Sequence, residues 1–279
     1  MALKNLLVHL DPSKSSLKRA ETAIALALTH GAHLTGLAVA HEPSMPSYVE
    51  AEIPAAVFSR MRTNLKADLA TVIDAFSSQA NAAGISFETR TELTLNPVAE
   101  LIARHARYTD LVIMGQADTD DPLTGSPELV EDVLLGSGRA ALIVPYIGAQ
   151  QRPGRRVMVA WDAGREAARA VNDALPLLEA AEQVVVAVVN PRRGRDGHGE
   201  QPGADIATHL ARHGVKVQVQ VYSNRDLSIS EVLLARIADE NVDLVVLGAY
   251  GHTRLREMVL GGVTHDMLRT MTVPLFMSH

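Results

Sequence analysis

The feature that most constrains this chain is that it says the same thing twice. Val98-Ala99-Glu100-Leu101-Ile102-Ala103 leads to Asp110-Leu111-Val112-Ile113-Met114-Gly115, and Ser230-Glu231-Val232-Leu233-Leu234-Ala235 leads to Asp243-Leu244-Val245-Val246-Leu247-Gly248. The openings match as well: Leu6-Leu7-Val8-His9-Leu10-Asp11 parallels Val157-Met158-Val159-Ala160-Trp161-Asp162, each followed by an Ala-rich helical stretch. Self-similarity at this scale means two copies of one unit. A length of 279 residues divides into two modest domains, expected at 1–150 and 151–279, with the joint near Gly148 to Gly154, where Gly, Gln and Pro replace the apolar pattern. The first copy is longer, and residues 41–60 hold much of the difference.

Within each copy, continuous apolar β-branched runs alternate with amphipathic stretches. The first reads as strand 3–10, helix 12–30, strand 33–40, helix 55–83, strand 85–93, helix 97–107, strand 110–114 and a last helix before strand 141–145. The second reads as strand 155–161, helix 164–180, strand 183–190, helix 203–213, strand 215–222, helix 229–240, strand 243–247, helix 262–271 and strand 273–277. Unalternated strands joined by helices are buried on both faces, which predicts an α/β fold of two similar, doubly wound, five-stranded parallel-sheet sandwiches. Asn96 before Pro97 reads as a helix N-cap, and Ser228 to Glu231 as a capping box.

Composition removes several function classes. The chain has no cysteine, so disulfides, thiolate metal sites and cysteine nucleophiles are ruled out, and a cytoplasmic location is the expectation. A net charge of −6 argues against a general nucleic-acid binder. No apolar run approaches the ~18 residues of a membrane span, and Leu6-Leu7-Val8 is interrupted by His9 and Asp11 before it could serve as a signal-peptide core.

In an open parallel sheet, ligands sit beyond the carboxyl ends of the strands, where connections diverge to opposite faces. In the second copy this directs attention to Asp162 and to the segment running from Gly248 through Gly251, His252, Arg254, Arg256, Gly261 and Gly262 to Thr264. Glycines there let backbone approach a ligand and expose helix-start amides to an anion. Each feature also has a structural reading: turn chemistry for the glycines, and helix capping for Asp162 and for Asp11, which is followed by Pro12.

Strand–Asp–helix at the start, Gly248-x-x-Gly251 followed by nine residues and Gly261, and the terminal Val273-Pro274-Leu275-Phe276-Met277 together resemble the universal stress protein family in a tandem form. The likeness is strong in 155–279 and weaker in 1–147. The resemblance implies an adenine nucleotide alpha hydrolase-like fold that binds ATP, with Mg2+ in attendance, in one branch of the family. By matched position, Asp162 would hold ribose, the Val188 backbone adenine, Gly248 and Gly251 ribose and phosphates, and Gly261 with Gly262 the triphosphate, assisted by Arg254 and Thr264. The ATP-binding pattern has Ser or Thr where Gly262 stands, which removes a hydroxyl contact worth ~1–2 kcal/mol. In the first copy Asp118 replaces the second glycine and Asp118-Thr119-Asp120-Asp121 opposes phosphate, so this copy is expected to be a structural partner without a nucleotide. The resemblance also implies dimerisation through the last strand, so the copies should pack as an internal pseudo-dimer, and whole chains could form a homodimer.

Other signals are turned down. Gly136-Ser137-Gly138-Arg139-Ala140-Ala141 matches a dinucleotide string, but it follows a helix and precedes a strand, the reverse of the required order. Neither a P-loop nor a nucleophile elbow occurs. Asp205, His209 and His213 share a helix face but read as solvated, with no metal site expected, and Pro191 to Gly199 reads as an Arg-rich loop. His279 reads as a solvated tail. With no base and nucleophile beside the glycines, no more than weak ATP hydrolysis is expected. The leading expectation is a stress-response nucleotide binder; the alternative is a nucleotide-independent tandem scaffold acting on protein partners the sequence does not name.

Overall fold

A computed structural model describes residues 2–42, 54–148, 152–191, 200–251 and 262–279. The first half runs β1 (Asn5–Leu10), α1 (Ser16–His30), β2 (His33–His41), α2 (Ala55–Ala83), β3 (Phe87–Thr94), α3 (Val98–Ala106), β4 (Leu111–Gly115), α4 (Glu128–Ser137) and β5 (Ala140–Val144). The second runs β6 (Arg156–Ala160), α5 (Arg165–Leu178), β7 (Gln183–Val189), α6 (Ala204–Arg212), β8 (Val217–Tyr222), α7 (Ile229–Asp239), β9 (Leu244–Gly248), α8 (Val263–Thr270) and β10 (Leu275–Ser278).

The strands form one ten-stranded sheet in the order β3-β2-β1-β4-β5-β10-β9-β6-β7-β8. Every pairing within a half is parallel; β5 and β10 pair antiparallel, with Ala141 opposite Met277, Leu142 opposite Phe276 and Ile143 opposite Leu275. The two copies are thus joined through their last strands into a single continuous sheet, as expected, because two apolar edge strands satisfy their ladder groups on each other. The seam also joins the cores. Leu142 and Phe276 belong to the apolar layer on one side of the sheet, with Val8, Ile113, Val159 and Val246; Ile143 and Leu275 belong to the other, with Leu7, Met114, Met158 and Val245. The outer strand β3 carries Glu88, Arg90 and Glu92, charges that blunt an open edge.

The repeated aspartates close the opposite end of the sheet. Asp110 Oδ2 accepts from the Lys4 and Asn5 amides at 2.7 and 2.9 Å, and Asp243 accepts from those of Gly154, Arg155 and Arg156 at 3.0, 3.1 and 3.0 Å. Each satisfies donors at the start of its half's first strand, so one local solution is used twice.

Two helix starts differ from expectation. Pro97, not Asn96, stands at the N-cap position of α3 and makes no side-chain cap, while the Asn96 amide donates to Thr94 Oγ1 at 3.0 Å. Helix α1 begins at Ser16 rather than near residue 12, since Asp11 Oδ1 accepts from the Ser13 amide at 3.0 Å and folds the intervening residues into a turn. The capping box stands: the Ser228 hydroxyl accepts from the Glu231 amide and the Glu231 carboxylate from the Ser228 amide. Gly138, in the left-handed region at φ 68°, ends α4 before β5, which disposes of the dinucleotide string. Among the described residues no helix is long and apolar enough to cross a membrane.

Candidate nucleotide site

In the second half β6 lies between β9 and β7. The chain leaves β6 toward β7 on one side and leaves β9 toward β10 on the other, so the carboxyl ends of β6 and β9 flank a topological switch point. Asp162 lies two residues beyond β6 and is exposed; its Oδ1 accepts from the Gly164 amide at 2.8 Å across Ala163, which sits at φ 63°. Gly164 caps α5, so Asp162 braces the turn without capping the helix. Val188 is buried one residue past the Ala160–Ala187 pair that ends β6.

The glycine segment is held from several directions. Gly248 ends β9 directly against the start of α5: a methyl group there would stand 2.4 Å from the Ala167 nitrogen and 2.6 Å from the Glu166 carbonyl carbon. Only glycine lets that strand and helix approach so closely, whatever ligand is present. The left-handed residue of the turn is Tyr250, at φ 57°, and not Gly251. The buried Thr264 hydroxyl accepts from the Tyr250 amide at 3.3 Å and fastens the turn to the first turn of α8. Gly262 is the extended N-cap of α8 and brings no side-chain acceptor to the helix start. His279 is no loose tail, because its Nδ1 bonds the Ala249 carbonyl at 3.0 Å.

Asp162, Val188, Gly248, Gly251, Gly262 and Thr264 therefore share one end of the sheet. His252, Arg254, Arg256 and Gly261 lie outside the described residues, as does most of the Arg-rich stretch after Pro191. A hollow of about 260 Å³ lined by Arg156, Gln183, Gln218 and Gln220 lies toward the opposite ends of the strands. No group of three or more His, Asp or Glu side chains suited to a metal occurs among the described residues; His209 and His213 face each other with ring centroids 4.8 Å apart.

Sequence reasoning missed two residues. The first is Glu166, in the first turn of α5, nine-tenths buried, with its Oε2 3.3 Å from where a methyl on Gly251 would stand. Burial pushes its carboxyl up, but the hydrogen bond from Arg165, its own amide and the charges of Arg165 and His279 together hold it below the usual range. An acid in a helix's first turn ordinarily reads as a solvated partner of the dipole, which is why it gave no signal.

The second is Arg19, in the matching region of the first half. It is 1% exposed and donates through Nη2 to Asp11 Oδ2 at 2.6 Å and to Ser16 Oγ at 3.1 Å. A methyl on Gly115 would stand 2.0 Å from its Nη1, so the guanidinium fills the space beside the end of β4. The second half has Ala170 in the corresponding position, eight residues after Asp162 as Arg19 is eight after Asp11. Asp11 is therefore a buried ion-pair partner, not a helix cap. Its carboxyl lies below the usual range: burial raises it, and the Arg19 and His9 charges with hydrogen bonds from Ser13 and Arg19 outweigh that. His9, wholly buried 3.9 Å from Asp11, is pushed down to about 4, chiefly by burial. Beyond β4, Asp118 Oδ1 accepts from the Asp120 amide at 3.0 Å, where the second half has Gly251.

Fold and switch point define a tandem, doubly wound α/β protein with its candidate ligand edge at β6 and β9. The universal stress protein family model matches residues 2–138 and again 154–279, and the chain belongs to that family. A universal stress protein of Synechocystis sp. is 29% identical over 85 residues, 29% of this chain, and the match spans only 28% of that protein's length. The solved universal stress protein of Archaeoglobus fulgidus DSM 4304 superposes with a TM-score of 0.75 at 19% identity, over 98% of this chain and 95% of its own. A functionally unknown protein of Pseudomonas aeruginosa PAO1 superposes at 0.58 with 16% identity, over 99% and 92%.

Proposed function

We propose that the chain binds one adenine nucleotide, in its second half, and that the first half is a structural partner whose corresponding space its own Arg19 occupies. The contrast between Arg19 and Ala170 carries this reading: at matched positions the first half sets a buried guanidinium beside Gly115 and the second only a methyl group, with Gly251 where the first half has Asp118. Asp162, exposed at the rim, is the group to meet ribose hydroxyls; the Val188 backbone lies where adenine would be read; Gly262 and Thr264 lie at the phosphate end. The start of α8 and the glycine turn suit a phosphate. Arg254 and Gly261 would extend the phosphate end, and any Mg2+ would arrive with the nucleotide.

Calorimetric titration of the full chain with AMP and ATP tests this. One site per chain is expected, weakened by Asp162→Asn. Two equivalent sites would contradict the assignment to the second half, and no binding of either compound would leave the nucleotide-independent scaffold as the reading.

A further inference from the structure

Glu166 is a buried carboxylate that the proposed function does not use, aimed at the backbone an anionic ligand would have to approach. Its backbone packs against Gly248 and its Oε2 faces Gly251. A ligand phosphate drawn to the Gly251 turn would thus come close to a fixed negative charge in a partly desolvated place, where like charges repel more strongly than in water. Among the described residues the groups facing that carboxylate are Arg165, a largely exposed side chain whose Nε pairs with Oε1 and leaves Oε2 toward Gly251, and His279, held on the Ala249 carbonyl. The first half has Ser15 at the corresponding position, so the acid is peculiar to the half with the glycine turn. Gly262, which brings no hydroxyl to the start of α8, weakens the same phosphate end independently.

We infer that Glu166 is a specificity-determining residue that disfavours polyphosphates, so that the second half takes adenosine or adenosine monophosphate in preference to ATP. This deepens the proposed function and rests on it. The charge on the ligand sets the penalty: adenosine escapes it, a monophosphate carries it once, and a triphosphate brings three phosphates past the same carboxylate.

The experiment is calorimetry of the full-length protein and its Glu166→Gln and Glu166→Ser variants with adenosine, AMP and ATP, with thermal melts of all three. Wild type is expected to bind AMP more tightly than ATP. Glu166→Gln, which keeps shape and removes charge, is expected to raise ATP affinity ~10-fold or more while adenosine affinity changes by less than ~2-fold. Glu166→Ser should shift the preference in the same direction, so a misfolded Gln variant does not decide the matter. If adenosine and ATP bind but neither variant alters their ratio, this inference fails and the nucleotide reading stands. If no adenine compound binds wild type or either variant, both fall.

Discussion

Arg19 Nη2 and Asp11 Oδ2 lie 2.6 Å apart with both side chains almost wholly withdrawn from water, inside the half whose matching glycine, Gly115, backs onto the same guanidinium. Removing one partner of such a pair leaves an uncompensated buried charge, which is more damaging than losing the pair. Arg19→Ala is expected to cost about 3–5 kcal/mol of unfolding free energy. The double variant Arg19→Ala/Asp11→Ala should cost less than the sum of the singles, with a coupling of at least ~1 kcal/mol in a urea-denaturation cycle. Additive losses would show that the two groups do not act as a pair.

His9 makes the fold sensitive to mild acid. Its folded pKa, about 4, lies below the ordinary value of 6.5, so over that interval the unfolded chain binds the proton more readily. Stability is therefore retained above pH 6.5 and lost as pH falls toward 4, by up to about 3 kcal/mol from this group. Asp11, also depressed, loses its contribution at still lower pH. Urea titrations at stepped pH should show His9→Gln with a flatter profile between pH 6.5 and 4 than wild type; parallel profiles would reassign the sensitivity.

The two glycines of the second-half turn should separate. Gly248→Ala drives a methyl into the backbone of Glu166 and Ala167 and is expected to destabilise by about 1–3 kcal/mol with or without ligand. Among the described residues a methyl on Gly251 would meet only the Glu166 carboxylate, and its backbone is not left-handed, so Gly251→Val should barely move the thermal midpoint while abolishing nucleotide binding. A large loss of stability in Gly251→Val would make that glycine structural too.

At the rim, Asp162→Asn can still accept the Gly164 amide, so its melting temperature should stay near wild type while nucleotide affinity drops. Gly262→Ser places a hydroxyl at the N-cap of α8. Gly is already a tolerable cap, so stability should change by only a few tenths of a kcal/mol, whereas nucleotide binding should tighten by up to ~10-fold through one hydrogen bond. Asp162→Asn that costs stability but not affinity, with Gly262→Ser inert, would remove both residues from the site.

The sequence by itself determined the tandem architecture, the parallel strand–helix alternation and the apolar last strands, because all are written in local periodicity and in a repeat. The Ser228–Glu231 box and the end of α4 at Gly138 were legible for the same reason, since each involves neighbours in the chain. What Asp11 and Asp162 became was decided only in three dimensions. They are the same residue after the same strand in two copies of one unit, yet one is a buried ion-pair partner and the other an exposed brace of a turn. The difference is made eight residues downstream, by Arg19 in one copy and Ala170 in the other, and by whether that side chain reaches back to the end of the neighbouring strand. Glu166 was hidden likewise, because a helix's first turn faces solvent or core according to what packs beside it, and here that is Gly248 and Gly251. Periodicity reports which face of an element is apolar; which charge is enclosed, and by what, depends on contacts between segments far apart in the chain, and only the folded packing sets those.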